Sequence, residues 1–558
     1  MDSMDERPET HYLRRLTALE QERDAFEDEW EDITRLILPR RNGWEKTTET
    51  DKRPPTDIYD GTAIAALTLM CDGLLGHLIP ASMPFFRFVP SIKALDDFKP
   101  LRLWLDKAQE HITAVLNRSN FHSALGEIFP DAGALGTGVM YVEEDLERAR
   151  VVFSVRHLKE MFIAENRWGE VDTVYRQFMI TLGNLVETFG DSLDQKILDR
   201  AEKNPDEKVE LLHAVEKNKG TGRAFSSVYV LLEGDRNKSR VLDEGGYDWM
   251  PYVVWRFRKN SDEAYGRSPA MDALYDVEMI NHQAKSMAEA AHKAINPPLL
   301  AHESMRGKIK KNPDSITYWD GMAPGGNQVS SLYGGALGAY PLGIDAMERR
   351  AKIIREHFRS DFFSYLLAEG AGQRDRTATE VNAIEAQKAA VLGATIGRVT
   401  KELLEPVILD VFNIEREAGR LPPLPRELAQ IAQRRELHFE VEYTGPLAQK
   451  QKQYLRSQGI MDGIAAISGI VQATGRGEVF DQFNFDMASQ KAAMANGLPE
   501  EMILDGRVVQ KMRQARAQQQ AELQQAAMDI EAAKVAPGLT KAPEPGSPAE
   551  EMNGSTRR

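Results

Sequence analysis

The chain has 558 residues, 42% hydrophobic and 28% charged, with a formal net charge of −15. That length exceeds what one hydrophobic core usually serves, so several domains or layers are expected, and one compact globule is not. The acidic balance keeps the surface soluble and argues against tight, non-specific binding of polyanions over the whole surface.

Leu16, Leu19, Phe26, Trp30, Ile33 and Ile37 recur at helical steps, while Glu20, Glu22, Asp24, Glu27 and Asp28 take the other faces. The pattern predicts a long amphipathic helix stopped at Pro39. Its apolar stripe has two readings, an interface between subunits or packing within its own subunit. The charged stretch 1–15 lacks the apolar run of a secretion signal, so export by that route is not expected. A second helix is predicted over 62–78; Asp72 and His77 interrupt it and Pro80 ends it, which favours a buried helix over a membrane span. The lone Cys71 lies in it, excludes an internal disulfide and reads as a small buried thiol. A third helix, over 100–118, carries Leu103, Trp104, Ala108 and Ile112.

From Gly133 the texture changes. The runs 139–142 and 151–155 are β-branched and aromatic and predict a hairpin across a charged connection at 143–149. Further strands are predicted at 171–180, 227–232 and 251–258, with short helices at 182–189 and 193–203, giving an α+β body over roughly 133–260. Ser268 and Pro269 then suit a helix start, and the helical pattern runs to about Ile295 before Pro297-Pro298. Residues 299–343 are Gly- and Pro-rich and predict a small module of turns. Helix resumes over 345–367, pauses at 369–376, and restarts at Thr377 or Thr379 with Glu380 placed for a capping interaction, reaching about Gly419. A single strand at 437–443 and helices over 447–516 follow. The Gln- and Ala-rich run 515–533 should be helical but little buried, and 537–558 has the composition of a disordered tail.

Motifs of chemistry are sparse. No Gly-x-x-x-x-Gly-Lys-Ser/Thr phosphate loop occurs, no His-Glu-x-x-His, and no Gly-x-Ser-x-Gly elbow. Gly133, Gly136 and Gly138 do not match the dinucleotide fingerprint and predict close backbone packing instead. Glu143-Glu144-Asp145 reads as a solvated turn rather than a magnesium site. No cofactor or metal is expected, and the expected role is structural, not enzymatic.

Six segments in order carry further information: the Trp30-containing helix ending Leu38-Pro39-Arg40; Gly136-Thr-Gly-Val-Met-Tyr-Val142; Tyr265-Gly-Arg-Ser-Pro-Ala-Met-Asp-Ala-Leu274 with its helix and Asn296-Pro-Pro298; Arg376-Thr-Ala-Thr-Glu-Val381; Glu405-Pro406 before 416–423; and Tyr443-Thr-Gly-Pro-Leu-Ala-Gln-Lys450. Together, over roughly residues 10–515, they resemble the head-to-tail connector (portal) proteins of short-tailed bacteriophages. The resemblance implies an α+β, predominantly helical portal fold with wing, stem, clip and crown regions. It implies a dodecameric ring at a unique capsid vertex, a conduit for double-stranded DNA in packaging and ejection. Terminase, capsid protein and tail adaptor proteins would be its partners, with no membrane involved. Localisation would be the virion, after assembly in the host bacterial cytoplasm.

Laid on this sequence, the family layout gives a wing region over 1–265, a stem helix over 266–298, a clip over 299–344 and a returning stem helix over 345–368. A channel loop over 369–377 would follow, then a wing helix and strand over 378–445, a crown over 446–535 and a tail over 536–558. Gly370, Gly372, Gln373, Arg374 and Arg376 would be the channel-loop residues. Arg374 and Arg376 would touch phosphate transiently, or else pair with Asp375 or Glu380. Two other classes remain open at this point: another virion component such as a tail adaptor or scaffold, and a DNA-packaging enzyme, which the missing phosphate loop disfavours.

Overall fold

The computed structural model describes residues 8–41, 57–80, 84–91, 98–218, 222–232, 239–295, 299–301, 329–331, 340–363, 393, 395–425, 439–444, 463, 466–469, 487, 489 and 506–539. It is a mixed helix-and-sheet fold in two units, Met1–Gln451 and Lys452–Arg558.

Helix α1 spans Pro8–Leu36. Its predicted stripe is buried inside its own chain: Leu16, Leu19, Phe26, Trp30, Ile33 and Ile37 are all covered. Trp30 stacks on Phe26 and donates its indole N–H to the Leu135 carbonyl at 2.9 Å. Burial of this kind decides between the two readings of the stripe in favour of packing within the subunit. Helix α2 (Thr62–Leu78) buries Ala66, Leu67, Met70, Cys71 and Leu74, and burial pushes the Cys71 thiol far above its ordinary range, leaving it inert. Helix α3 (Lys99–Arg118) buries Trp104, Ala108 and Ile112 as its pattern predicts, whereas Leu103 is exposed.

Helix α4 (Phe121–Leu135) was not among the predicted elements, and Gly126, Pro130 and Gly133 make it a poor helix former. Every residue from Ile128 to Leu135 is buried, and that burial offsets the poor propensity. The chain leaves α4 through Gly136 at φ +81° and enters β2 (Thr137–Asp145). Strand β2 pairs antiparallel with β3 (Arg150–Arg156) on one side and β9 (Tyr252–Arg256) on the other. The hairpin is longer than expected. Glu143, Glu144 and Asp145 continue the ladder opposite Val152, Val151 and Arg150, so they form no turn; only 146–149 turns. Glu144 is held there by Arg420 at 2.7 Å.

A five-stranded antiparallel sheet follows the order β4 (Met161–Glu165), β5 (Val171–Thr181), β6 (Lys208–Lys217), β7 (Phe225–Leu232) and β8 (Arg240–Tyr247). Alternate residues serve opposite faces. Leu212 and Val230 join Leu16, Leu19 and Tyr175 in one core, while Leu211 and Leu231 join Leu182, Leu185 and Ile197 in another. Helix α1 therefore covers one face, and α5 (Leu182–Phe189) and α6 (Gln195–Lys203) cover the other.

Helices α7 (Pro269–Ile295) and α8 (Tyr340–His357) pack against each other, with the antiparallel pair β10 (Leu299–Ala301) and β11 (Val329–Ser331) falling between them in sequence. Helix α8 starts earlier than predicted and is interrupted after His357, where Arg359 takes φ +52°, before helix resumes over 360–363. Later, a π-helical segment at Val399–Leu404 leads into α9 (Glu405–Glu417). Pro406 has no N–H to return to the carbonyl four residues earlier, which explains why the preceding turn widens. Strand β12 (Phe439–Tyr443) closes on β1 (Phe86–Pro90), with Phe88, Phe412 and Phe439 edge-to-face around the join. In the second unit the long element is α10 (Gly506–Leu539).

Candidate functional site

The polar chemistry of the first unit converges where the α7–α8 pair is rooted. The root is the segment Tyr265 to Pro269, and each of its residues has a definite tertiary task. Tyr265 is buried against Phe26 and Trp30, and its hydroxyl accepts from the Ile163 amide at 3.3 Å. Gly266 crosses Gly136 so closely that a Cβ on either would lie about 2 Å from the other's carbonyl oxygen, and its N–H donates to Thr137 Oγ1 at 2.8 Å. Arg267 reaches Glu29 on α1 at 2.9 Å and Glu263 at 2.6 Å. Ser268 Oγ accepts from the Met271 N–H at 3.0 Å, capping α7, and donates to the Ala134 carbonyl at 2.6 Å. The close glycine packing and the Ser268 cap are both as the sequence predicts.

Beneath this root lies Arg256, 2% exposed, at the end of β9. Its guanidinium forks onto Glu402, with Nη2 to Oε1 at 2.9 Å and Nε to Oε2 at 3.3 Å; the Arg256 amide also donates to Oε2 at 2.9 Å. The remaining N–H groups go to Glu165 at 2.8 Å, the Gly169 carbonyl at 2.8 Å and the Ala264 carbonyl at 3.4 Å. Arg398 adds a second cation to Glu402 at 2.6 Å, and Lys259 a second one to Glu165 at 3.0 Å. One side chain thus ties the three- and five-stranded sheets, the π-helical segment and the approach to α7. The sequence reading missed Arg256 and Glu402. Their signals were a charged residue closing an apolar strand and a glutamate four residues before a helix-starting proline.

Farther along, Arg350 of α8 meets Asp276 of α7 at 2.8 Å, and Gly343 lies against Met287. A cavity of about 200 Å³ sits at the base of the pair, between Met70, Leu74, Phe257, Pro269, Phe358 and Phe363. Away from the base the pair is only partly covered. No side chain from Asn281 to Lys293 on α7 or from Leu342 to Ile353 on α8 is buried, and Tyr275, Leu342, Ile344 and Ile353 are exposed apolar groups. The five residues predicted for a channel loop, Gly370, Gly372, Gln373, Arg374 and Arg376, lie outside the described residues, as do most of 299–344 and 446–505. Among the described residues no group of three or more His, Cys, Asp or Glu is placed to hold a metal ion, and no helix is long and apolar enough to cross a membrane.

Comparison with known proteins gives a consistent picture. Residues 9–504 match the family described as bacteriophage head to tail connecting protein. A "Probable portal protein" of Bordetella phage BPP-1 is 29% identical over 92% of this chain and 92% of its own length. The "Portal protein" of Salmonella phage epsilon15 is 27% identical over 96% of each. A solved structure titled "Neck of empty GTA particle computed with C6 symmetry" aligns at 9% identity over 72% of this chain and 86% of its own, with a TM-score of 0.28, too low to bear on the fold.

Proposed function

This chain belongs to the bacteriophage head to tail connecting protein family, and on that premise we propose that it assembles as a dodecameric ring around a DNA channel. Its function as a portal, or head-to-tail connector, follows from the family, which is a structural virion component and not an enzyme family. Portal proteins sit at the capsid vertex. In the finer reading the ring occupies one unique vertex after assembly in the host cytoplasm. It conducts double-stranded DNA in both packaging and ejection, binds terminase and later the tail adaptors, and carries out no catalytic step of its own.

The observation that carries the ring is the thinly covered outer part of the α7–α8 pair. Two long helices whose outer runs, 281–293 and 342–353, hold no buried residue and carry half-exposed apolar side chains are poor free-standing elements. A heterologous contact repeated around a closed ring would cover them on both sides. In this layout α7 and α8 are the two stem helices, the residues between them the clip, 1–265 and 378–445 the wing, and 446–535 the crown. Residues 369–377 form the channel loop, where Arg374 and Arg376 meet phosphate beside Gly370, Gly372 and Gln373. Contact there must be weak, because every neutralised phosphate adds a salt-sensitive increment of affinity that would brake translocation.

A packaging reaction tests the function in two arms. Heads assembled without this chain should hold no DNA, and heads carrying Arg374→Ala with Arg376→Ala should package or retain less than the natural length. Full heads without the chain would overturn the portal function; normal length and retention in the double variant would remove the loop contact.

A further inference from the structure

Helix α10 begins just past residue 504, where the family match ends. Its first half carries Arg507, Lys511, Arg513 and Arg516 and no acidic residue before Glu522, in a chain whose balance is −15. All side chains from Gln510 to Met528 are exposed. Helical spacing gathers Gln510, Lys511, Gln514 and Gln518 on one face and Arg513, Arg516, Gln520 and Gln524 on another. Both faces offer cations interleaved with long amides, and each can hydrogen-bond a phosphate oxygen.

Self-association is the competing use for such a helix. The face between the two polar ones is a weak seam, since Gln519 separates Met512 from Leu523, and a coiled coil requires a sustained apolar repeat. Parallel copies in a ring would also set four like charges per helix against one another. A polyanion removes that repulsion and supplies the binding energy that the helix cannot gain by burial.

We infer that α10 is a duplex-DNA-binding element that contacts the phosphate backbone without reading sequence. The choice of DNA as the polyanion rests on the portal reading above.

The test uses the full chain. Anisotropy of a labelled duplex would be followed from 50 to 200 mM salt, with mass photometry of the same samples. Four phosphates neutralised per helix predict a log–log slope of about −3.6, or roughly a 100-fold loss of affinity over that range. Replacing Arg507, Lys511, Arg513 and Arg516 together by Gln, which preserves helix propensity, should flatten the slope and weaken binding at least about tenfold at 50 mM. A companion variant with the three arginines changed to Lys should bind like the natural chain. The inference is overturned if the natural chain does not bind, if the Gln variant binds equally well, or if the Gln variant loses ring assembly, which would make α10 a seam between copies. Unaltered rings with unaltered DNA binding leave the portal reading intact, whereas DNA binding by a chain that never forms rings removes that reading and keeps the helix contact.

Discussion

His213, in the middle of β6, stacks face to face on Tyr229 with 4.0 Å between ring centroids. Its two ring nitrogens hydrogen-bond Tyr252 Oη at 2.7 Å and Ser227 Oγ at 3.0 Å. Burial, reinforced by the positive charges of Arg176 and Arg156, pushes its pKa down to about 3. An unfolded histidine titrates near 6.5. Between those values the unfolded chain binds a proton that the folded chain refuses, so this residue's contribution is full above about pH 6.5 and is lost as pH falls toward 3. Asp410 works in the opposite sense: burial raises its pKa, so its burial becomes costly as pH rises. The difference between variants isolates each effect. Against His213→Asn, the natural chain's stability advantage should shrink by up to about 1.4 kcal/mol per pH unit below 6.5, read from urea midpoints. A constant gap from pH 7 to 4 would contradict the buried neutral ring. At this scale the sequence was legible at Ser268, whose cap is local, and at Gly136, where the glycine itself signals a close backbone approach, and silent at His213, whose partners lie on β7 and β9.

Arg256 belongs to the scale of elements, because its bonds reach β4, the β4–β5 turn, the π-helical segment and the approach to α7 at once. Arg256→Leu would remove the buried cation and its side-chain hydrogen bonds while leaving Glu402 with Arg398 and Glu165 with Lys259, so the loss should reach at most the roughly 3–5 kcal/mol of a buried pair broken from one side. Arg256→Lys should recover little of this, since an ammonium cannot reproduce the two-pronged grip on Glu402. Denaturant unfolding checks both variants; a loss under about 1 kcal/mol for the leucine variant would show that the network contributes little. The elements themselves were unevenly legible. Helices α1, α2, α3 and α7 declare themselves through 3.6-residue periodicity, and the β2–β3 hairpin through its β-branched runs. Strand β6 does not: Lys-Val-Glu-Leu-Leu-His-Ala-Val-Glu-Lys has a helix-like composition, and only pairing on both edges and cores on both faces make it a strand. The same tertiary override made a helix of α4 despite Pro130.

At the scale of the whole molecule, the first unit has cores of its own, while its α7–α8 pair ends in exposed apolar side chains that one subunit leaves uncovered. The family, and with it the connector role, was legible because six ordered segments reflect tertiary constraints, as the Tyr265–Pro269 root illustrates. The Arg256 hub was not, because it depends on groups brought together from distant parts of the chain. Mass photometry of the purified full-length chain, with negative-stain images of the same sample, tests the central claim most directly. A ring predicts a dominant species at the mass of twelve 62.7-kDa chains, with a central hole in the images. A monomer or small compact oligomer at every concentration would contradict it.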